Sequence, residues 1–350
     1  MVAFAQLCAY DLTMQQIYDG NDVHLKIFVF EYVTGGGLYR EPLPPSLVGE
    51  GELMLLALLS DLSTHPGVEL LTMRDARLPA LNFPVASVAP APDFEASWAA
   101  CLAASDAVWL IAPETGGVLE RLSAMVVAAG KRLLGCLPDA VAVTASKYAT
   151  SRWLGNFGLP VVKTFRPSES LPEQPSWVAK PDDGAGCSDT RHFSCQTDMR
   201  RWLAEGDRMA THIVQPALSG EAASLSMLCL DGRAWLLSCN RQIIALQDGV
   251  YSYHGSVLNG MAQHWQNFSA LADGVALALP GLAGYIGVDL MVMEDDITVL
   301  EINPRLTTSY AGLRQAIECN PAALVLDLFY NDCFNLPQTL TRKVVEVSLE

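Results

Sequence analysis

The chain lacks the features that mark membrane-spanning, exported and nucleic-acid-binding proteins. No apolar run approaches the roughly 18 residues of a membrane span, because charged residues interrupt or flank the longest ones, residues 53–59 and 98–112. The first residues show no basic stretch followed by an apolar core, so we expect no export signal and a cytoplasmic protein. The net charge of −16 opposes binding to a phosphate backbone. We therefore expect neither a membrane nor a nucleic acid as a partner.

Paired cysteines are also missing. The nine cysteines are scattered, and no two of them form a Cys-x-x-Cys pair. This distribution favours reduced thiols over a disulfide framework or a zinc site. The sequence also shows no internal repeat of about 20 to 50 residues, so a repeat architecture is not expected.

The first part of the chain has the pattern of a parallel α/β layer. A length of 350 residues exceeds what one core usually serves, so we expect two or three domains. Short apolar runs alternate with helical patterns, with strands predicted at residues 26–32, 68–73, 106–112 and 132–136 and helices near residues 47–62, 94–104 and 118–129. Residues 78–93, rich in proline and alanine, are predicted to form a loop. Residues 1–25 allow no assignment.

The pattern changes near residue 140. A helix at residues 146–157, a helix near residues 199–204 and short strands at 161–165, 177–180 and 211–215 predict a small α+β module. Asp231-Gly232 is a turn signal that predicts a hairpin of residues 222–230 and 233–241. Further helices are predicted near residues 263–278, 312–318 and 322–329.

An acidic hairpin at residues 285–310 carries the strongest chemical signal. A three-residue turn at 294–296 would set Met293 opposite Ile297 and therefore Asp289 opposite Glu301. Directly opposed carboxylates are about 5 Å apart at Cβ and repel each other unless a cation lies between them. The hairpin therefore indicates a cation site rather than a structural turn alone.

The third oxygen of this site would come from Asn303, which shares a face with Glu301 and lies opposite Gly287. One face of the hairpin would carry Ile286, Val288, Leu290, Leu300 and Ile302, and the acidic face would also carry Met291, Met293, Ile297 and Val299. The alternative is that the acids simply face solvent. Apolar residues on both faces argue for burial, and buried carboxylates need a partner. Oxygen ligands of this type suit Mg²⁺ or Mn²⁺.

Three other stretches carry weaker signals. Lys180 is followed by the glycine-bearing residues 181–188, which offer backbone N–H groups and one ammonium to phosphate oxygens but do not form a Walker A loop. Taken alone, this stretch favours a plain surface turn, because clusters of Gly and Asp usually form one. Lys147, at the start of a predicted helix, could be a solvated side chain. Residues 213–221 could be an ordinary connection between domains.

The order of these features resembles the ATP-grasp superfamily over about residues 140–310. The resemblance implies that Lys147 and Lys180 contact ATP phosphates beneath a closing loop that includes Gly184, Gly186 and Ser188. It implies that Gln215 and Pro216 contact adenine, that Glu221 binds the ribose, and that Asp289, Glu301 and Asn303 hold Mg²⁺ or Mn²⁺. The predicted fold is therefore α/β and α+β: a Rossmann-like pre-ATP-grasp domain (residues 1–140), a small lid module (141–216) and a C-terminal ATP-grasp module (217–350).

One departure concerns the cation that stabilises phosphate. Some peptide ligases of the superfamily carry Arg two residues before the metal-binding Asp, whereas this chain has Gly287. Arg305 and Arg241 are the candidates for that catalytic role, although Arg241 could equally be a surface charge at a hairpin end. The chemistry implied is carboxylate activation by ATP to an acyl phosphate, followed by attack of an amine.

Three stretches carry a narrower resemblance: residues 30–37 after the first strand, the loop after Lys180, and residues 301–310. Together they resemble the tyramine–glutamate ligase branch of the superfamily, which forms γ-glutamyl amides in methanofuran-type cofactors. The likeness implies glutamate and an aromatic amine, tyramine or tyrosine, as small-molecule substrates. The implied acceptor side is lined by Thr34, Gly35, Gly36, Gly37, Thr307, Thr308 and Ser309. For the three glycines, a flexible turn is the alternative. Another amino acid ligase, an ATP-dependent kinase and a non-catalytic ATP-binding regulator also remain open, and a homodimer is the default assembly.

Overall fold

The computed structural model describes residues 24–90, 94–184, 186–294 and 296–349. The segment for which the sequence allowed no assignment therefore lies almost wholly outside the described residues. Within the described ranges, no helix is both long and apolar enough to cross a bilayer.

The N-terminal layer is a five-stranded parallel sheet with the order β3-β2-β1-β4-β5. Its elements are β1 (Leu25–Glu31), α1 (Pro45–Ser63), β2 (Val68–Met73), β3 (Ala86–Val88), α2 (Phe94–Ala103), β4 (Ala107–Ile111), α3 (Val118–Ala128) and β5 (Arg132–Leu133). The predicted alternation of strands and helices is confirmed. The predicted loop at 78–93 is wrong at β3, whose three residues are too few to show a periodic pattern.

Burial on both faces explains the apolar sequence of β1. Phe28 and Phe30 pack against Trp98 of α2, with ring centroids 5.1 and 4.7 Å apart. On the opposite face, Ile27 and Val29 belong to a core that includes the leucines of α1. A parallel sheet covered by helices on both sides requires such continuous apolar strands.

The rest of the chain builds an antiparallel sheet of nine strands. Its elements are α4 (Pro138–Ala145), α5 (Lys147–Asn156), β6 (Trp177–Pro181), β7 (Arg191–Phe193), α6 (Gln196–Leu203), α7 (Arg208–Thr211), β8 (His212–Pro216), β9 (Glu221–Leu230), β10 (Arg233–Gln247), β11 (Val250–Leu258), α8 (Trp265–Ala278), β12 (Gly284–Met293), β13 (Asp296–Asn303), α9 (Tyr310–Ile317), α10 (Pro321–Tyr330) and β14 (Val345–Ser348). The order is β13-β12-β9-β10-β11-β7-β6-β8, and β14 pairs with β11. The two halves of the sheet meet at one bridge, Val250 with Arg191.

Several local predictions are wrong. Residues 161–165 form no strand; Val161 and Phe165 make isolated bridges to Val299 and Val214. The strands β11 and β14 and the helix α4 were not predicted, and β10 runs six residues beyond its predicted end at Arg241, to Gln247. The apolar pattern of β10 and β11 is weak after Asn240 because Gln242, Ile244, Tyr251 and Tyr253 line a cavity rather than the core.

The turn of the acidic hairpin differs from its prediction. Met293 pairs with Asp296 rather than with Ile297, and Glu294 adopts a left-handed φ of 54°, which tightens the turn. Asp289 nevertheless pairs with Glu301, as predicted. A β-bulge restores this register.

The bulge changes the face of the hairpin on which Val299 and Leu300 lie. It leaves Leu300 between the Leu290–Val299 and Asp289–Glu301 pairs. Leu300 was expected on the core face, but it lines the same cavity as Glu301, while Val299 is fully buried in the core with Leu290. An extra residue lets consecutive side chains share one face, which a regular strand does not allow.

Candidate active site

A cavity of about 250 Å³ lies where α1, α5 and the strands of the antiparallel sheet converge. Its apolar lining includes Val162, Val178, Leu218, Met291 and Leu300. The rest of the lining carries charged groups, hydroxyls and the backbone of the glycine-bearing loop. Such a cavity can take both the flat apolar face of a base and anionic groups.

Two lysines converge on Glu301. Nζ of Lys147 lies 3.1 Å from Oε2 of Glu301, and Nζ of Lys180 lies 3.6 Å from the same oxygen. Lys147 begins α5 behind the cap made by Ser146, whose Oγ accepts from the N–H of Ala149 at 3.0 Å. Only 7% of the Lys147 side chain is exposed, so the solvated alternative for this residue is excluded.

The loop after Lys180 folds over the lysine pair. Lys147 Nζ donates to the carbonyl of Gly184, and Gly184, Gly186 and Ser188 all line the cavity. Gly186 has a φ of 65°, a conformation that glycine adopts without strain. The loop therefore presents backbone and one hydroxyl to whatever lies beside the lysines.

Asp182 anchors the start of this loop. Its carboxylate accepts from Ser146 Oγ at 2.7 Å and from the N–H of Tyr148 at 2.9 Å, and it pairs with Arg166 at 3.0 Å. The next residue, Asp183, reaches the N-terminal layer: its carbonyl accepts from Thr115 Oγ1 at 2.8 Å. These bonds hold the loop between α5 and the turn that precedes α3.

The residues expected to contact a nucleotide base are only partly brought together. Gln215 and Pro216 line the cavity, and Gln215 Nε2 donates to Thr164 Oγ1 at 2.9 Å. Glu221 is not among the lining residues; it is half exposed and pairs with Arg241, Nε to Oε1, at 3.6 Å. Neither Glu221 nor Arg241 therefore faces the cavity in this conformation.

The acidic pair forms the floor between the lysines and the hydroxyl groups. Asp289 Oδ1 accepts from Gln242 Nε2 at 2.9 Å, and Oδ2 accepts from Asn303 Nδ2 at 3.3 Å. Burial raises the pKa of Asp289, and the charge of Glu301 raises it further. Burial would also raise the pKa of Glu301, but Lys147 and Lys180 outweigh that effect and lower it.

This donor set fits a divalent cation. Two carboxylates in direct contact disfavour each other's charge, and a cation between them removes that conflict. Two carboxylates and one amide are oxygen donors of the kind that Mg²⁺ or Mn²⁺ prefers. Among the described residues, no cluster of three or more His, Cys, Asp and Glu side chains forms an alternative metal site.

Arg305 is the candidate arginine that the structure places at the cavity. Its Nε and Nη2 donate to Oε2 of Glu114 at 3.1 and 3.0 Å, and Nη1 donates to the carbonyl of Leu306. Both partners of this ion pair are buried. Burial would lower the pKa of Arg305, but Glu114 reverses the effect and raises it. Arg305 is therefore a fixed cation.

Hydroxyl groups line the cavity beyond Arg305. Thr307, Thr308 and Ser309 contribute three of them, immediately before α9. Each is held by a further hydroxyl: Tyr285 to Thr307 at 3.1 Å, Tyr253 to Thr308 at 3.0 Å and Ser256 to Ser309 at 2.9 Å. Gly287 leaves room for this arrangement, since a Cβ there would meet Thr307 Cγ2 at 2.7 Å.

The structure separates residues 34–37 from this cavity, contrary to the expectation that they line it. Thr34 is fully buried, and its Oγ1 donates to Oε2 of Glu31 at 2.7 Å. A Cβ at Gly35 would lie 2.4 Å from the Glu31 carbonyl, and Gly36 has a φ of 93°. The glycines close a tight turn behind β1 because the Glu31 carboxylate folds the chain back on itself.

Sequence reasoning missed several lining residues. Glu50 and Met54 reach the cavity from α1, and Gln242 and Tyr253 reach it from β10 and β11. The helix α1 was predicted, but the face that it turns to the cavity depends on how the two layers pack. No local pattern could have identified these residues.

Two segments of the chain match models of known protein families. Residues 144–309 match the model of the ATP-grasp domain, and residues 68–141 match the model of the pre ATP-grasp 3 domain. The first match lies within residues 140–310, which carried the sequence resemblance, and the second ends one residue beyond residue 140. The fold prediction is confirmed.

Two similar proteins are both named tyramine–L-glutamate ligase. The tyramine–L-glutamate ligase of Methanocaldococcus fervens is 26% identical over 293 residues, which cover 82% of this chain and 89% of that one. The tyramine–L-glutamate ligase of Methanocaldococcus jannaschii is 27% identical over 209 residues, which cover 60% of this chain and 58% of that one.

Solved structures agree with the fold. An ATP-grasp superfamily protein from Archaeoglobus fulgidus has a TM-score of 0.66 and 22% identity, covering 92% of this chain and 99% of that one. The L-amino acid ligase from Bacillus licheniformis has a TM-score of 0.61 and 15% identity, covering 88% of this chain and 75% of that one. At such identities the likeness establishes the fold alone.

Proposed function

This chain belongs to the ATP-grasp superfamily and is an ATP-dependent C–N ligase, and from that premise we propose that it joins glutamate to an aromatic amine. The γ-carboxylate of glutamate is activated by ATP, and tyramine or tyrosine attacks it. The product is a γ-glutamyl amide of the kind used in methanofuran- or methylofuran-type cofactors, with ADP and phosphate released.

The observation that carries the proposal is the similarity to a tyramine–L-glutamate ligase over 82% of the chain. The cavity supports it, because the groups that the chemistry needs line one continuous space. Lysines, an acidic pair, a fixed arginine and a row of hydroxyls are all present there.

The charged groups suit phosphoryl transfer. Lys147 and Lys180 would offset the negative charge that develops as a glutamate oxygen attacks the γ-phosphorus and ADP leaves. Asp289, Glu301 and Asn303 would hold Mg²⁺ or Mn²⁺, and a divalent cation polarises phosphate oxygens when bound. Gly184, Gly186 and Ser188 would contribute donors over the phosphates, and the apolar part of the lining, with Gln215 and Pro216, would receive the base.

The second step, attack of the amine on the acyl phosphate, depends on how the protein positions the two substrates rather than on a covalent bond to the protein. The amine nitrogen forms a bond to the γ-carbon of the acyl phosphate, and the carbon–oxygen bond to phosphate breaks. Arg305, fixed by Glu114, would hold negative charge on the acid substrate or on the departing phosphate. The hydroxyls of Thr307, Thr308 and Ser309 would orient the polar groups of glutamate, and water exclusion protects the acyl phosphate.

The test is ADP release by the purified chain with ATP and Mg²⁺. Glutamate, tyramine and tyrosine are supplied singly and in pairs, and products are identified by mass spectrometry. We expect turnover that requires glutamate together with one aromatic amine. A stable phosphorylated product would indicate a kinase instead, and ATP binding without turnover across a wider panel of acids and amines would indicate a regulator.

A further inference from the structure

A carboxylate faces the cavity from the N-terminal layer. Glu50 lines the cavity together with Met54, which lies four residues later on the same face of α1. Glu50 is half-buried and makes no hydrogen bond or ion pair with any residue in the described part of the chain. A carboxylate in this position loses hydration without gaining a partner, and a ligand that carries positive charge would restore the balance.

The neighbours of Glu50 leave the region short of positive charge. Arg305 is close enough to lower the pKa of Glu50 against the larger raising effect of burial. Arg305 is already committed, however, because two of its nitrogens donate to Oε2 of Glu114. Two carboxylates therefore share the charge of one guanidinium.

One oxygen in this group also lacks a donor. Glu114 is 6% exposed, and its Oε1 is buried without a hydrogen-bond partner among the described residues. Buried carboxylate oxygens are normally paired, so the environment of Arg305 holds more acceptor capacity than its donors use. A positively charged ligand beside Glu50 would balance the carboxylate that this guanidinium does not serve.

We propose that Glu50 binds the ammonium group of the incoming amine, with Met54 beside it contacting the apolar body of the same substrate. The inference rests on the proposed function and deepens it by assigning the acceptor end of the cavity. Methionine makes favourable contacts with aromatic rings, so Met54 suits an aromatic amine. The amine is thus received by α1 of the N-terminal layer, whereas the lysines and the acidic pair lie on the C-terminal elements.

Glu50 also serves as the base for the attack. The ammonium passes one proton to the Glu50 carboxylate, and the freed electron pair forms the C–N bond to the γ-carbon. The carbon–oxygen bond to phosphate breaks with its electron pair on the phosphate oxygen. The second proton of the nitrogen leaves with the phosphate, and a neutral amide remains.

Hydroxylamine separates this role from carboxylate activation. It is small and uncharged at neutral pH, so it traps an acyl phosphate as a hydroxamate without needing an ammonium site. Glu50→Gln keeps the size of the side chain but removes its charge. Glu41→Gln makes the same change at an exposed position of the same layer and is the matched control.

The expected result is a selective loss. With saturating ATP and glutamate, Glu50→Gln lowers kcat/KM for tyramine about tenfold or more, because the lost ammonium contact raises KM and the lost base lowers kcat. Its rate of hydroxamate formation stays within about twofold of the unchanged protein. Glu41→Gln leaves both rates unchanged.

Two outcomes would contradict the inference in different ways. If Glu50→Gln lost hydroxamate and amide formation equally, Glu50 would act on glutamate or on the fold, and its assignment would be overturned while the proposed function stood. If the unchanged protein formed neither product, the proposed function itself would fail, and the assignment of Glu50 with it.

Discussion

Glu301 lies between two ammonium groups, and its charge state decides what the site can hold. Lys147 and Lys180 lower its pKa, so it is a carboxylate at neutral pH. Replacing it with Gln keeps the shape but leaves two buried lysines near each other without their shared anion. Uncompensated buried charge of this kind is costly.

We therefore expect Glu301→Gln to lower glutamate- and amine-dependent ADP release by at least about a hundredfold, by the scale of lost electrostatic stabilisation. Its matched control is Glu173→Gln, at an exposed residue that does not line the cavity. ADP release over time, with far-ultraviolet circular dichroism to verify folding, measures the effect. A Glu301→Gln variant with normal turnover would rule out a role for this carboxylate in holding the cation.

The proximity of Asp289 and Glu301 could be predicted from local rules, whereas the position of Glu50 at the cavity could not. Strand alternation and cross-strand pairing were enough to place Asp289 opposite Glu301, although their assigned roles stay predictions. The sequence around Glu50 predicts a helix, but it does not show which element will pack against the face that carries Glu50. Only the packing of the N-terminal layer determines which neighbour Glu50 meets.

At the scale of elements, β14 depends on one glycine. Gly255 in β11 has a φ of 135°, and a Cβ there would lie 2.1 Å from the carbonyl oxygen of Val347. Residue 255 pairs with Ser348, so any side chain pushes β14 away. We expect Gly255→Ala to lower the free energy of unfolding by about 2 kcal/mol or more, from backbone strain and lost pairing.

Urea denaturation compares Gly255→Ala with Gly49→Ala, where a Cβ would meet nothing within 4 Å. Gly49→Ala should be neutral or stabilise by up to about 1 kcal/mol, because Ala is the better helix residue. Equal stability of the two variants would show that β14 adapts to the added methyl group.

A buried histidine in β8 is expected to make this part of the antiparallel sheet sensitive to acid. Burial lowers the pKa of His212, although its Nε2 lies 3.1 Å from Oδ2 of Asp189. The other charged neighbours are Arg208, which opposes a positive charge on the ring, and Asp207, which favours one. Because the folded pKa is below the unfolded value of 6.5, the stabilising contribution is complete above that pH and is lost as pH falls through the folded pKa.

The expected outcome is a smaller loss of stability in acid for His212→Gln than for the unchanged chain. Melting temperatures measured between pH 7.5 and about pH 5 test this difference. His254→Gln, at an exposed histidine, is the control and should follow the unchanged chain. Parallel pH profiles for all three proteins would contradict a neutral buried His212.

The bulge shows where element-scale prediction reached its limit. The hairpin and its acidic pair could be predicted from alternation, but the tight turn and the compensating extra residue could not. Alternation assumes that every residue changes face, and Leu300 and Glu301 do not. The shorter turn shifts the strand register by one residue and the bulge shifts it back. The predicted pairing of Asp289 with Glu301 was therefore correct although the predicted turn was wrong.

At the scale of the whole molecule, Asp61 joins the first helix to the C-terminal part. It accepts from Tyr310 OH and from Arg314 Nη1, each at 3.0 Å, and is itself 4% exposed. Removing it leaves a buried hydroxyl and a guanidinium without their acceptor. We expect Asp61→Ala to cost about 1–3 kcal/mol of unfolding free energy.

Urea denaturation measures this cost, with Asp332→Ala, at an exposed aspartate, as the control. The latter should change stability by less than about 0.5 kcal/mol. If Asp61→Ala unfolded at the same urea concentration as the control, the contact between the layers would contribute nothing to global stability. The proposed boundaries at residues 140 and 216 stay predictions under either result.

Asp183 accepts hydrogen bonds from Thr115 Oγ1 and from the N–H of Gly116, so the glycine-bearing loop is attached to the N-terminal layer as well as to α5. Lifting that loop would break contacts with the N-terminal layer, which carries neither Lys147 nor Lys180 nor the acidic pair. Under the proposed function, release of the spent nucleotide requires the loop to lift and both hydrogen bonds of Asp183 to break. A change at residues 115–116 would alter the waiting time between turnovers while leaving every group that meets the nucleotide in place.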